Sequence, residues 1–155
     1  MATLSDALEL SYEPQKYDCS GFVKAAVNGL DDASLSLPAE DDADALIDYW
    51  SKNWVVVDSG LAAANLAASG KLVVAGLQSG EYSPKRAMGH VVIIAPITKN
   101  GPVTPDDLYH GEYPLAWGGD IGRTYMSKGT LSVGEIFNKS VRDKVRYFTP
   151  PIVSK

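Results

Sequence analysis

The chain has 155 residues, 45% of them apolar, and 14 basic against 19 acidic side chains for a formal charge of −5. That length and apolar share suit one compact domain over residues 1–155, and the longest apolar run, Val91 to Ile97, is broken by Pro96 and falls far short of the roughly 20 residues a bilayer span needs. A single cysteine, Cys19, excludes an internal disulfide framework and leaves too few soft ligands for a structural zinc site, so neither a metal nor a cofactor is expected.

In chain order, Leu4, Ala7 and Leu8 predict a short helix that stops before Pro14. A second helix is better marked: Asp18 suits an N-cap, Phe22, Val23, Ala26, Val27 and Leu30 recur at three-four spacing, and Gly29 with Asp31-Asp32 ends the run. A third begins near Asp41 or Asp42, whose charges favour an N-terminal turn, and continues through Ala45, Leu46, Tyr49 and Trp50. Ser59 to Ser69 is an alanine-rich helix with Gly70 as its stop. The period then changes. Lys71 to Leu77 and His90 to Ala95 are apolar runs rich in β-branched residues and predict strands, with an exposed loop from Gln78 to Gly89 that carries Lys85 and Arg86. Further strands are expected at Tyr113 to Gly118 and Arg146 to Thr149, and a short helix near Val133 to Asn138. Helices followed by a run of strands predict an α+β domain, with N-terminal helices packed on an antiparallel β-sheet.

Charge is unevenly spread. Asp31 to Asp58 holds eight acids and one base, whereas from Glu81 onward ten bases face seven acids. The cationic half suits a small anionic substrate and lacks the basic density and interleaved aromatics of a nucleic-acid binder, so no nucleic-acid partner is expected. Met1 to Ser11 has neither a basic start nor an apolar core, so a secretory signal is not expected there.

The chemistry centres on Asp18-Cys19-Ser20-Gly21-Phe22-Val23, which puts a thiol at a helix N-terminus. Unpaired N–H groups and the positive end of the helix dipole favour the thiolate there, predicting a lowered pKa and a nucleophile. A nucleophile needs a base, and the chain has two histidines. His90 opens a buried strand directly after Gly89, while His110 lies among Asp106, Asp107 and Glu112, so His90 is the candidate base. The backbone N–H of Cys19 would help hold an oxyanion. A helix carrying Cys followed by a strand carrying His resembles the order of papain-like hydrolases, which implies a third, orienting group on the next strand: Asp120 is the polar side chain near its end, with a backbone carbonyl around Gly118 as the other choice. Tyr17 either turns its hydroxyl to the cleft or packs.

With these residues lined up, D-C-S-G-F-V at 18–23 and G-H-V at 89–91 resemble the two signature elements of NlpC-type, papain-like cell-wall hydrolases. Ala43-Asp44-Ala45 with Ile47-Asp48, Ala68 to Leu77, Tyr113-Pro114 with Trp117, Gly129 with Ser132-Val133-Gly134, Asn138, and Arg142-Asp143 with Tyr147 narrow the resemblance to the first family of type VI secretion amidase effectors. The resemblance implies a papain-like fold and a cysteine peptidase that cuts the peptidoglycan stem between γ-D-glutamate and meso-diaminopimelate. Cys19 would attack and His90 would serve as base. It also implies manufacture in the cytoplasm, export by the type VI apparatus into a target bacterium's periplasm, and an immunity protein that plugs the cleft. Two departures stand out. Family members carry further cysteines, one near the position of Gly118, and the segments Gln78–Gly89 and Asn100–Glu112 are longer here. The competing readings are a housekeeping or phage-type wall hydrolase and a catalytically inactive module that binds stem peptides.

Overall fold

The computed structural model describes residues 4–30, 35, 37, 42–82, 89–98, 101–102, 108–110, 112–120, 123–137 and 139–151. Asp31-Asp32, Lys85, Arg86 and most of the 100–112 segment, all singled out above, lie outside them. Helices α1 (Leu4–Gln15), α2 (Cys19–Asn28) and α3 (Ala43–Asn53) come first. Then follow strand β1 (Val55–Val57), helix α4 (Gly60–Ala68), strands β2 (Val74–Leu77) and β3 (His90–Ile94), and a small hairpin of β4 (Ile97–Thr98) and β5 (Gly101–Pro102). The chain continues through β6 (Leu115–Gly118), β7 (Ser127–Ser132), α5 (Val133–Ile136) and β8 (Arg146–Thr149).

Local chemistry sets the helix starts. Asp18 accepts from the Gly21 N–H at 3.1 Å, Asp42 from Ala45 at 2.9 Å and Ser59 from Ala62 at 3.1 Å, each satisfying an orphan donor of the first turn. Ser132 and Glu135 form a reciprocal capping box at α5. Helix α1 runs past its expected stop: Pro14 falls in its last turn, where a missing N–H forfeits a single bond and the helix ends one residue later.

Among the described residues the main sheet has six strands in the order β1-β8-β2-β3-β6-β7, and every pairing is antiparallel. The expected α+β architecture is therefore present. Strand β3 explains the centre of the sheet. Val91 and Ile93 join the cluster formed with Phe22 and Val23 of α2 and Leu46, Ile47 and Trp50 of α3. Val92 and Ile94 point the other way, into a cluster with Ala63 and Ala67 of α4, Val133, Phe137 and Tyr147. All four are fully buried, which is why His-Val-Val-Ile-Ile is a continuous apolar run rather than an alternating one. Packing is close enough that a Cβ on Gly76 of β2 would come 2.8 Å from Ile47 of α3.

Two strands of this sheet, β1 and β7, were not expected, and three expected ones are shorter, β3 by its last residue, Ala95. Lys71 to Val73 lead into β2 and Tyr113-Pro114 lead into β6 outside the strands themselves, although the Val73 carbonyl accepts from the Ile94 N–H at 2.9 Å. Pro114 lacks the N–H a ladder position needs.

Candidate active site

Cys19 is the first residue of α2, directly after its Asp18 cap. The cap fixes the helix start, and the end of β6 locks it from outside. A Cβ on Gly119 would lie 2.6 Å from the carbonyl oxygens of both Asp18 and Gln15, and the Asp120 N–H donates to the Lys16 carbonyl at 2.9 Å. Only glycine allows that approach.

The sulfur of Cys19 lies within hydrogen-bond reach of the backbone N–H groups of Ser20, in its own first turn, and Val91, in β3. Val91 follows His90, so the thiol meets β3 one residue beyond the candidate base. His90 opens β3 opposite Leu77 and is half-buried, its ring edge-on to Phe137 with centroids 5.5 Å apart. Its approach is also glycine-dependent: a Cβ on Gly89 would fall 2.4 Å from Asp44 Oδ1 and 2.7 Å from the Leu77 carbonyl oxygen. That Asp44 carboxylate accepts from the Ser79 N–H at 2.8 Å and from the Ser79 hydroxyl at 2.5 Å, tying the loop after β2 to α3.

The lowered thiol pKa expected from the helix start is not found. Burial pushes the Cys19 thiol up to about 11, the N–H groups of Val91 and Ser20 oppose that shift, and the carboxylates of Asp18 and Asp120 reinforce it. The thiol is only 7% exposed, and desolvation of the anion outweighs the helix terminus. Cys19 therefore rests as a protonated thiol.

Asp120 follows β6. Ile93 pairs with Trp117 and Ile94 with Ala116, so the same register carried three residues toward the open end brings Asp120 level with His90. Its Oδ2 accepts from the backbone N–H groups of Thr124 at 3.2 Å and Tyr125 at 2.9 Å. The carboxylate thus caps the following turn while its charge reaches Cys19. His110, the other histidine, sits between the bridged pair Tyr109 and Tyr113, at the opposite end of β6 from Cys19, in a left-handed conformation with φ 53°.

A cleft of about 580 Å³ lies elsewhere, lined by Val57, Ser59, Glu112, Tyr113, Arg142 and Tyr147 among others. Within it the Tyr113 hydroxyl donates to Asp143 and the Arg142 guanidinium lies 4.8 Å from the Tyr113 ring. None of Cys19, His90 and Asp120 borders it. Among the described residues no three His, Cys, Asp or Glu side chains gather as a metal would require, and no helix is long and apolar enough to cross a membrane.

Comparison with known proteins places this geometry. No family model matches the chain. The peptidoglycan amidase Tse1 of Pseudomonas aeruginosa is 34% identical over 151 residues, which cover 96% of this chain and 85% of that protein. The chain belongs to the Tse1 amidase family. This is the membership expected from the Cys19 and His90 motifs combined with the matches between Ala43 and Tyr147, and with it the helices on an antiparallel sheet are those of a papain-like fold.

Proposed function

We propose that the chain is an antibacterial peptidoglycan amidase that works as a cysteine peptidase in a single domain, cutting the stem peptide between γ-D-glutamate and meso-diaminopimelate. The observation that carries this reading is the Cys19 sulfur at a capped helix start, against the N–H of Val91, the residue that follows His90 on β3, in a chain 34% identical to a peptidoglycan amidase.

Because the resting thiol is protonated, attack and proton removal belong together. His90 takes the thiol proton as the sulfur bonds to the amide carbonyl carbon. First-turn N–H groups at Cys19 and Ser20 receive the developing oxyanion. The C–N bond then breaks with the proton passing from His90 to the leaving amine, which leaves a thioester. Water, deprotonated by His90, hydrolyses the thioester and restores the thiol. Asp120, level with His90, orients the imidazole. Delivery by the type VI apparatus to a rival's periplasm and a cognate immunity protein over the cleft complete the reading.

Growth is the test. Directed to the periplasm of a host bacterium, the chain should lyse it, while the same chain kept in the cytoplasm, or carrying Cys19→Ala or His90→Ala, should not. Equal toxicity in both compartments contradicts the effector reading.

A further inference from the structure

Tyr17, two residues before Cys19, is 45% exposed and carries a guanidinium on its ring: Arg123 Cζ stands 4.4 Å from the ring centroid. Arg123 is held there by its own turn. Its backbone has φ 60°, a left-handed conformation that a long side chain seldom adopts, its N–H donates to the Asp120 carbonyl at 3.0 Å, and the next two N–H groups bind the Asp120 carboxylate. A second cation, Lys16 Nζ, lies 5.4 Å from the same ring but is paired with Glu13 at 2.7 Å. The half-buried acids nearby also have partners, since Asp18 accepts from the Gly21 N–H and the Ser20 hydroxyl. Among the described residues the exposed Arg123 guanidinium has no carboxylate partner.

A cation stacked on an aromatic ring keeps its N–H edge available and loses little freedom on binding a planar anion. Resting on the peptidoglycan reading above, the substrate supplies such an anion: a γ-linked glutamate leaves its α-carboxylate free, on the acyl side of the bond to be cut. We infer that Arg123, seated on Tyr17, binds the free α-carboxylate of the γ-D-glutamyl residue and so sets the enzyme's preference for an acid over an amide at that position.

The test compares two synthetic stem peptides that differ only there, one with the free α-carboxylate and one with the α-carboxamide. The wild-type chain should cut the acid with about tenfold higher kcat/KM, the difference falling mainly in KM, as expected for one charge-assisted bidentate contact near solvent. Arg123→Asn, which tolerates the left-handed backbone, should cut both peptides at the wild-type rate for the amide, and Arg123→Lys should keep only part of the preference. A wild-type chain that does not distinguish the two, or an Arg123→Asn variant that still does, overturns the inference while leaving the peptidase reading intact. Cleavage of neither peptide by the wild-type chain overturns both.

Discussion

Gly119 lies so close to Asp18 that a Cβ would stand 2.6 Å from the Asp18 carbonyl oxygen, so the end of β6 and the helix cap before the nucleophile are one mechanical unit. Gly119→Ala forces backbone apart from backbone. We expect a loss of about 2 kcal/mol in stability and a larger fall in turnover than in melting temperature, because the displaced element is the Cys19 turn. Thermal unfolding alongside steady-state kinetics measures both, and an alanine variant with unchanged turnover would show that the contact does not set the site.

The Asp18 cap has a separate signature. Asp18→Ala removes the acceptor for the Gly21 N–H and should cost about 1 kcal/mol. It also removes one of the negative charges that hold the Cys19 pKa up, so alkylation of the thiol should shift to lower pH. Asp18→Asn should keep the cap and still shift the titration. Denaturant unfolding and the pH profile of iodoacetamide labelling separate these two effects.

Burial of Cys19 makes stability depend on pH in the alkaline range. The folded-state pKa, about 11, lies above the roughly 8.5 of an exposed thiol, so between these values the folded chain binds more protons than the unfolded one. Stability on this account is flat below about pH 8 and falls as pH rises toward 11, by up to about 3 kcal/mol from this group. Cys19→Ala should show a correspondingly shallower alkaline decline. Parallel curves for the two proteins would mean that the sulfur is better solvated than its 7% exposure indicates.

Gly89→Ala probes the other half of the pair. The new Cβ meets the Asp44 carboxylate and the Leu77 carbonyl, so the start of β3 must move and His90 with it. The expected outcome is a fall of at least tenfold in kcat with KM little changed, since substrate contacts outside the dyad persist. Asp44→Ala combined with Gly89→Ala should recover part of the loss by removing one of the two collisions.

The features that could be read from the chain are those encoded locally. Asp18 announced a helix start as a cap and the Asp41-Asp42 pair announced one through its charge, and in the fold Asp18, Asp42 and Ser59 each bond their own first turns. The His90 to Ile94 run announced a strand because both its faces are buried. Strand β1 escaped notice because it has three residues at the sheet edge, with Val55 and Val56 half exposed. Strand β7, the other edge, reads Ser-Lys-Gly-Thr-Leu-Ser, so although Lys128 and Thr130 alternate outward, Leu131 is its one apolar side chain and no apolar alternation marks it in the sequence. The thiol pKa went the wrong way for the same reason: the helix terminus is local, whereas burial under β3 and the charge of Asp120 are tertiary. Arg123 on Tyr17 needs a left-handed turn at a non-glycine residue, and no pattern in the sequence marks one.

Mass spectrometry of a defined muropeptide after digestion tests the central claim most directly. The wild-type chain should split a disaccharide tetrapeptide into a fragment ending in D-glutamate and one beginning with the amine of meso-diaminopimelate, and Cys19→Ala and His90→Ala should leave it whole. An intact substrate with the wild-type chain, or full cleavage by either variant, would contradict the account.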